Sequence, residues 1–428
     1  MSCKIRQHIA ISHSLIMKNR IILHYGELTL KGCNRQTFVK KLRINVRHKV
    51  KALNLNWDVK SIHDRMFIDI PEDFSGDIDS IAAKLAEVPG VAWLSRVYWF
   101  SAKKYHIFEG IPNLAEAENL IEKLANDNYK EGKSFAVRVK RSDKRFQLSS
   151  RGLEIQLATV ILKNTEWKNV NLKHADQYFY VDISSRGMAI HTNRIQAIGG
   201  LPVSSTGRIM CLLSGGFDSP IAAYLTAKRG CNVDFIHFTA SNLQSSKLEE
   251  YKVSKIAKRI SEFAGKVRLF LVPYTHFDLA LMDQKLEYDL ILFRRFMARV
   301  AENLAQQVHA QCLVTGDNLG QVASQTMENI VSMTKSVDMP ILRPLLTYNK
   351  GEIVEISREL DLFDICVEPY KDCCALISNS PKTKSLHEKL NNIENAAFDD
   401  YDELVKETLE EMQVVAYQFG NKIDYVWN

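Results

Sequence analysis

The first hundred residues switch between strand-like and helix-like patterns of hydrophobic positions. RIILHYGELTL predicts a strand that runs into a turn, and RQTFVKKLRINVRHKVKAL places Phe38, Leu42, Val46 and Val50 at helical spacing. WDVKSIHDRMFIDI predicts paired strands, and DIDSIAAKLAEVPG predicts a helix that stops at Pro-Gly. The order strand, helix, two strands, helix, strand is typical of a small ferredoxin-like α+β domain.

A second unit with similar alternation follows. NLAEAENLIEKLANDNY and RGLEIQLATVILKNT predict helices, whereas SFAVRVKRS and QYFYVDISSRGMAIHTNR predict strands. The Gly- and Ser-rich stretch AIGGLPVSSTG then indicates a domain boundary.

The pattern changes again from Arg208 onwards. The nearly continuous apolar strands IMCLL, NVDFIHF, VRLFLVPY and QCLVTGD alternate with long helical patterns. Such strands predict a doubly wound α/β domain, in which helices cover both faces of a parallel sheet. Ligands of such sheets bind beyond the carboxyl ends of the strands.

The sequence SGGFDS, residues 214–219, lies at one of these strand ends. The glycines allow a tight backbone path, and the following helix offers free N–H groups and a partial positive charge to an anion. Asp218 would suit a magnesium ion that bridges phosphates. Without a GxxxxGK[ST] or GxGxxG pattern, the stretch is neither a Walker A loop nor a dinucleotide-binding fingerprint. A plain strand-to-helix turn with an N-cap is the structural alternative.

Composition and charge narrow the class of protein. No apolar run is long enough for a membrane helix, and we expect no membrane association. The eight cysteines include no CxxC pair, so a disulfide framework or zinc ribbon is not indicated and a cytoplasmic location is expected. Basic patches in the N-terminal half, within a net charge of +6, favour a polyanionic partner.

SGGxDS resembles the signature of the PP-loop pyrophosphatases, and the chain from about residue 17 onwards resembles the tRNA 4-thiouridine synthetase family. YGELTLKGCNRQTF, FAVRVKRSDKRF, AIGGLPV, LVTGDNLGQVASQT, PILRPLLTYNKGEI and CALISNSPKTKS match that family in order. The resemblance implies an extension over residues 1–17, a ferredoxin-like domain over 18–79, an RNA-binding THUMP domain over 80–194 and a PP-loop ATP pyrophosphatase domain over 195–428.

The resemblance also implies ATP and Mg²⁺ as cofactors and assigns site residues. The catalytic residues would be Cys374, Asp218 and Lys350, and Asp218 would also hold the metal ion. The ATP site would comprise Leu212, Leu213, Ser214, Gly215, Gly216, Asp218, Ser219, His237, Phe238, Arg294, Gly316 and Gln325. Taken singly, each of these residues could instead have an ordinary structural role, such as core packing for Leu212 and Leu213.

The implied reaction is sulfur transfer to a tRNA uridine, expected at position 8. ATP would adenylate O4, and a persulfide on Cys374 would attack C4. A second thiol must then resolve the product, and Cys373, Cys366 or an external thiol could do so. The chain looks like the form without a C-terminal rhodanese domain, so a cysteine desulfurase or another persulfide donor is expected. An iron–sulfur site on Cys366, Cys373 and Cys374 is disfavoured by the adjacent cysteines.

The implied partner is tRNA, and a homodimer is one option for the oligomeric state. The residues predicted to contact tRNA are Lys31, Arg35, Arg138, Lys140, Arg141, Lys144 and Arg145. Two other functions are compatible with the same sequence. One is a different PP-loop RNA-modifying ligase, such as a 2-thiouridylase, and the other is a non-catalytic THUMP RNA-binding adaptor.

Overall fold

A computed structural model describes residues 18–62, 65–102, 114–240, 245–281, 288–370 and 382–427 of the 428-residue chain. The fold divides into two compact units. The first contains the described parts of residues 1–25, 56–86 and 91–197, and the second contains residues 26–55, 87–90 and the described parts of 198–428. Helix α1, Arg35–Ala52, therefore belongs to the second unit although it lies early in the chain.

The first unit is built on one mixed sheet of nine strands within the described residues. The strands are β1 Lys18–His24, β2 Val59–Ile62, β3 Arg65–Asp69, β4 Trp93–Ser101, β5 Ser134–Arg141, β6 Asn169–Val170, β7 Gln177–Ser184, β8 Gly187–His191 and β9 Ile195–Gln196. Their order is β2-β3-β1-β4-β8-β7-β5-β6, and β9 pairs with β4. Strand β4 is antiparallel to both β1 and β8, so hydrogen bonding continues from the ferredoxin-like strands into the later ones.

Helices of the first unit are α2 Ile78–Ala86, α3 Ala115–Asp127 and α4 Ser150–Asn164. The apolar sides of α3 and α4 pack with Phe135, Val137 and Phe179 of strands β5 and β7. Because side chains alternate across a strand, the neighbouring positions Ala136 and Arg138 lie on the opposite face of the sheet.

The second unit contains a seven-stranded sheet in the order β14-β13-β10-β11-β12-β15-β16 among its described residues. The strands are β10 Arg208–Leu212, β11 Asn232–Thr239, β12 Lys266–Pro273, β13 Cys312–Val314, β14 Ile341–Leu342, β15 Gln413–Gln418 and β16 Asn421–Ile423. The first five strands in this order are parallel, and β15 and β16 add antiparallel pairs at one edge.

Helices cover both faces of this second sheet. They are α5 Asp218–Lys228, α6 Lys252–Ala264, α7 Thr275–Leu281, α8 Asp289–Gln307, α9 Met327–Thr334, α10 Lys350–Glu359, α11 Phe363–Val367, α12 His387–Ala397 and α13 Tyr401–Glu410. Odd-numbered strand residues such as Cys211 and Phe235 pack with α5 and α6, whereas Met210 and Ile236 pack with α8. This is the two-faced core that the apolar strands predict.

The predicted fold class is confirmed by this architecture: an α+β N-terminal part is followed by a doubly wound parallel-sheet domain. The domain limits at residues 79/80 and 194/195 stay predictions. Within the described residues, no helix has both the length and the apolar character needed to span a membrane.

Candidate active site

The loop at residues 214–219 connects the end of β10 to the start of α5 and is closed by its own hydroxyls. Ser214 N donates to Ser219 Oγ at 2.8 Å, and the two hydroxyl oxygens lie 3.1 Å apart. Gly216 N donates to Ser214 Oγ at 3.4 Å. The N-terminus of α5, whose first amides have no intrahelical acceptor, is therefore held in a defined position beside Ser214.

Two glycines of the site are required by close approaches rather than by a positive φ. A Cβ at Gly215 would lie 2.5 Å from the ring of Tyr370. A Cβ at Gly316 would lie 2.5 Å from the backbone nitrogen of Ser219. The loop after β13 and the first turn of α5 can therefore meet only because residue 316 has no side chain.

A cavity of about 150 Å³ lies at the carboxyl ends of the central strands. Of the predicted ATP-binding residues, those that line it are Leu212, Leu213, Ser214, Asp218, Ser219, Phe238, Arg294 and Gly316. Strand β10, the helix α5 that follows it, strand β11, helix α8 and the loop after β13 therefore converge on one site, as expected for a doubly wound sheet.

Six residues that line this cavity were not identified from the sequence. They are Ile236, Met297, Thr315, Asp317, Ser324 and Met333. Asp317 is the most informative because a usable signal existed: it belongs to the polar run that directly follows the buried strand β13. The other five residues belong to no sequence pattern that indicates a binding site.

Asp317 forms a buried ionic cluster with two arginines. Arg294 Nη2 bonds its Oδ1, Arg343 Nε lies 3.2 Å from its Oδ2, and Thr315 donates to Oδ2 at 2.9 Å. Burial raises the pKa of Asp317, but the two arginines outweigh it and hold the pKa below its usual range. Arg294 also donates to the carbonyl of Ser324 at 2.8 Å, so its guanidinium is fixed at the cavity wall.

Asp218 and Lys350, predicted as catalytic from positions 132 residues apart, form an ion pair. Lys350 Nζ lies 2.8 Å from Asp218 Oδ1, and Gln321 Nε2 lies 3.4 Å from Oδ2. Lys350 is the first residue of α10, which Asn349 and Glu352 cap reciprocally. The start of α10 therefore places the Lys350 ammonium group next to the first turn of α5.

Four of the predicted ATP-binding residues do not line the cavity: Gly215, Gly216, His237 and Gln325. His237 follows Ile236 and precedes Phe238 in β11, so its side chain points to the other face of the sheet. There its Nδ1 lies 2.8 Å from the carbonyl of Leu213, and its Nε2 lies 2.6 Å from the Tyr370 hydroxyl. Gln325 Oε1 is buried and has no hydrogen-bond partner among the described residues.

The predicted sulfur carrier Cys374 and its neighbour Cys373 lie outside the described residues. Cys366, the other candidate thiol, is buried and its Sγ lies 3.6 Å from the carbonyl of Gly216. Burial raises the pKa of Cys366 to about 11. The positive charge of Lys252 partly opposes this rise in the pKa.

Within the described residues, no group of three or more His, Cys, Asp or Glu side chains could hold a metal ion.

In the first unit, the sheet face opposite α3 and α4 carries basic and aromatic side chains, and we call it the basic face. Strand register places Arg138 and Lys140 there with Tyr180 and Arg20, whereas Arg141 points to the helix side. Arg141 donates to two carbonyls of the loop after β5, which is a structural role. A cavity of about 550 Å³ on this face is lined by Arg20, Arg65, Phe67, Trp99, Lys140, Ser142, Asp143, Ser184, Ser185 and Arg186.

Guanidinium groups and aromatic rings also stack on the basic face. Arg194 lies 4.0 Å from the ring centre of Tyr180 and 4.7 Å from that of Trp93. Tyr178 stacks on Tyr180, and Arg138 lies 5.7 Å from the Tyr178 ring. Such rings can stack with unpaired bases, and the cations can meet phosphates.

The remaining predicted RNA-contacting residues have different surroundings. Lys144 and Arg145 are exposed after β5, and Arg145 pairs with Asp143 at 2.6 Å. Lys31 and Arg35 belong to the second unit, where the Lys31 ammonium lies 5.4 Å from the Phe38 ring.

Comparison with known families matches three segments of the chain. The family described as thiamine biosynthesis protein (ThiI) matches residues 204–398, the ThiI ferredoxin-like domain matches residues 20–95, and the THUMP domain matches residues 113–192.

Individual relatives match almost the whole chain. A probable tRNA sulfurtransferase from Anoxybacillus flavithermus is 33% identical over 408 residues, which cover 95% of this chain and 98% of that protein. One from a Geobacillus species is 36% identical over 88% of this chain and 91% of its own. A crystal structure of a 4-thiouridine synthetase–RNA complex with bound ATP superposes with a TM-score of 0.79 at 30% identity, over 93% of this chain and 99% of that one. The chain therefore belongs to the tRNA sulfurtransferase family, whose members include 4-thiouridine synthetases.

Proposed function

We propose that this protein transfers sulfur to a uridine of tRNA, expected at position 8, in a reaction driven by cleavage of ATP to AMP and pyrophosphate. The observation that carries the proposal is the meeting of the SGGFDS loop and Arg294 at one strand-end cavity, with Lys350 paired to Asp218 of that loop, in a chain that matches tRNA sulfurtransferases over nearly its full length.

The nucleotide would lie along this cavity. Its phosphates would bind at the N-terminus of α5, where amide dipoles and Lys350 supply positive charge. Its base would lie against Leu212 and Phe238 at the strand ends.

Asp218 fits a magnesium ion that arrives with the nucleotide. Mg²⁺ in nucleotide sites is commonly held by one or two carboxylates, substrate phosphates and water, and Asp218 provides a carboxylate at the cavity. When bound, the ion would neutralise charge on the phosphates. Asp317 is a poorer ligand because it is buried and bonded by two arginines and Thr315, whereas Asp218 is more exposed and pairs with one cation, Lys350.

Cys374 would act from the segment 371–381, whose flanking residues are fixed at the site. On one side, Tyr370 contacts Gly215 and His237. On the other side, Asn329 Nδ2 donates to the carbonyl of Lys382, and the hydroxyl of Thr326 donates to the carbonyl of Thr383. Asn329 and Thr326 belong to the region around α9 that also contributes Met333 to the cavity wall.

The reaction would proceed in two transfers. Uridine O4 would attack the α-phosphorus, and pyrophosphate would leave. The terminal sulfur of the Cys374 persulfide would then attack C4, and AMP would leave with O4. Arg294 and Lys350 are suited to stabilise negative charge during adenylation because Arg294 is held at the cavity wall and Lys350 is held beside Asp218.

The adduct would still be joined to Cys374 by a sulfur–sulfur bond. A second thiolate would attack Cys374 Sγ, release 4-thiouridine and leave a disulfide for an external reductant. Cys366 suits this role poorly because a thiol with a pKa near 11 is almost entirely protonated at neutral pH. We therefore propose Cys373 or an external thiol, with a cysteine desulfurase or another persulfide donor supplying the sulfur.

The basic face would dock the tRNA, with Lys140 and Arg138 meeting phosphates and the Tyr178 ring available to an unpaired base. The domain limits at 17/18, 79/80 and 194/195, a homodimer and a cytoplasmic location form part of the same proposal.

The direct test is product formation. The protein, ATP, magnesium, a persulfide donor and unmodified tRNA are incubated together, and 4-thiouridine is detected by its near-ultraviolet absorbance. We expect product with the wild-type chain and almost none with Asp218→Ala or Cys374→Ser. Equal product from either variant would refute the assigned mechanism.

A further inference from the structure

Tyr370 lies against the nucleotide loop, outside the set of residues that line the cavity. Its ring packs on Gly215, where a Cβ would come within 2.5 Å, and its hydroxyl lies 2.6 Å from His237 Nε2. The residue is 37% exposed, whereas His237 is 1% exposed. A half-exposed side chain is thus fixed from two directions by groups next to the cavity.

The hydrogen bonds define which atoms donate. The carbonyl of Leu213 can only accept, so His237 Nδ1 carries the proton in their 2.8 Å hydrogen bond. In the neutral imidazole Nε2 is then the acceptor, and Tyr370 donates its hydroxyl proton to it. This chain of bonds runs from the end of strand β10 through β11 to Tyr370.

The chain leading to Tyr370 is held to the same region. Lys252 Nζ, which is largely buried, donates to the carbonyls of Cys366 at 2.7 Å and Glu368 at 2.8 Å. Lys255 pairs with the carboxylate of Glu368 at 2.9 Å. Cys366 Sγ contacts the carbonyl of Gly216. Residues 366–370 are therefore fixed between α6 and the nucleotide loop.

We propose that Tyr370 is a positioning residue for sulfur transfer, because it links the backbone of the nucleotide loop to the chain that continues directly to Cys374. The inference rests on the proposed function. Because Tyr370 does not line the cavity, we expect its loss to affect the placement of the sulfur carrier more than nucleotide affinity. Misplacement of a reacting group by about 1 Å can slow a reaction on the order of a hundredfold.

The two contacts can be separated by substitution. Tyr370→Phe keeps the ring on Gly215 and removes the hydrogen bond to His237, whereas Tyr370→Ala removes both. Tyr425→Phe is the matched control, since its hydroxyl bonds Arg268 at the amino end of β12, the end of the sheet opposite the cavity. Folding of each variant is checked by its urea midpoint.

Single-turnover 4-thiouridine formation is measured at saturating ATP, tRNA and persulfide donor, and ATP affinity is measured by calorimetry. We expect the transfer rate to fall about fivefold to tenfold in Tyr370→Phe and on the order of a hundredfold in Tyr370→Ala. The Kd for ATP should stay within about threefold, and Tyr425→Phe should match the wild type. Unchanged transfer rates in both Tyr370 variants, or an equal loss of ATP affinity, would overturn the inference.

A second measurement does not need turnover. In a Cys373→Ser background, the alkylation rate of Cys374 is followed by mass spectrometry with and without ATP. We expect ATP to change this rate at least threefold when Tyr370 is present and to have no effect in the Tyr370→Phe and Tyr370→Ala chains. An ATP effect that survives both substitutions, or that is absent with Tyr370 intact, contradicts the inference. Failure of the wild-type chain to make 4-thiouridine would instead refute the proposed function.

Discussion

Gly316 shows how one residue can be fixed by a backbone contact. The loop after β13 passes so close to α5 that a Cβ at this position would lie 2.5 Å from Ser219 N and 2.6 Å from the Asp218 carbonyl carbon. Backbone atoms cannot move aside as a flexible side chain can. A methyl group at residue 316 must therefore push the nucleotide loop away from the cavity wall.

We expect Gly316→Ala to lower the free energy of unfolding by about 1 to 3 kcal/mol and to weaken ATP binding at least tenfold. Urea unfolding and calorimetric ATP titration measure the two effects. Gly132→Ala is the control: its φ of +72° disfavours alanine, but no atom lies within 4 Å. It should cost about 1 kcal/mol and leave ATP affinity unchanged. Normal ATP binding by Gly316→Ala would show that the loop can shift without loss.

His24 should make the stability of the first unit depend on pH. Burial and then Arg65 lower the pKa of His24 to about 3, and its ring stacks 3.6 Å from that of Trp93. Below pH 6.5, the usual value, the unfolded chain takes up a proton that the folded chain does not bind. Stability should therefore fall as the pH falls from about 6.5 towards about 3.

For His24 alone, the loss over this range is on the order of 3 to 5 kcal/mol. Urea unfolding followed by tryptophan fluorescence at pH 7 and pH 5 should show a smaller pH effect in His24→Gln than in the wild type. His48→Gln, at an exposed position, should retain the wild-type effect. Equal pH effects in all three chains would contradict a lowered pKa of His24.

At the scale of elements, helix α1 is joined to the nucleotide-binding unit by buried charges. Lys49 is 2% exposed, and its ammonium lies 2.9 Å from a Glu87 carboxylate oxygen and 3.1 Å from the Glu262 carbonyl. Arg259 of α6 pairs with both Glu87 and Glu262. The apolar side of α1, including Leu42 and Val46, is buried as its helical spacing predicts.

We expect Lys49→Met to destabilise the second unit by about 2 to 3 kcal/mol. The cost is less than for an isolated buried pair because Arg259 still neutralises Glu87. Lys40→Met, at an exposed position of the same helix, should change stability by less than about 0.5 kcal/mol. Both values come from urea denaturation, and equal effects of the two substitutions would refute the structural role of the Lys49 cluster.

At the scale of the whole molecule, RNA binding should depend on the positive charge of the basic face of the first unit. Arg138→Gln with Lys140→Gln should reduce the slope of log K for tRNA against log salt concentration by about 1.5 to 2. Lys123→Gln, on helix α3 at the opposite face, should leave the slope unchanged. Filter binding at several salt concentrations measures this, and an unaltered slope in the double variant would exclude the basic face as the docking surface.

Elements whose sequence signal is local could be predicted from the sequence. The strand pair at residues 59–69, helix α4 and the two-faced sheet of the second unit follow from hydrophobic spacing and are present. For the SGGFDS loop, the sequence located the strand end, and the structure adds that Tyr370, not a positive φ, requires Gly215 to lack a side chain.

The remainder of the candidate site depended on distant contacts. The resemblance named His237, but its direction away from the cavity follows from strand alternation, which becomes decisive only when the cavity's side of the sheet is known. Ser324 and Tyr370 carry no motif that distinguishes them from ordinary loop residues, and the signal for Asp317 is limited to its place in the polar run after strand β13.

The sequence by itself therefore determined the elements, the fold class, the family and the loop on which nucleotide chemistry would rest. These follow from periodicity, turn residues and ordered motifs, all of which are encoded over short stretches of chain. Only the tertiary structure decided that Lys350 faces Asp218, that Arg294 shares Asp317 with Arg343, and that Tyr370 lies on Gly215. The physical reason is that these contacts join residues far apart in the chain, and their energies depend on distance and burial that no local pattern records.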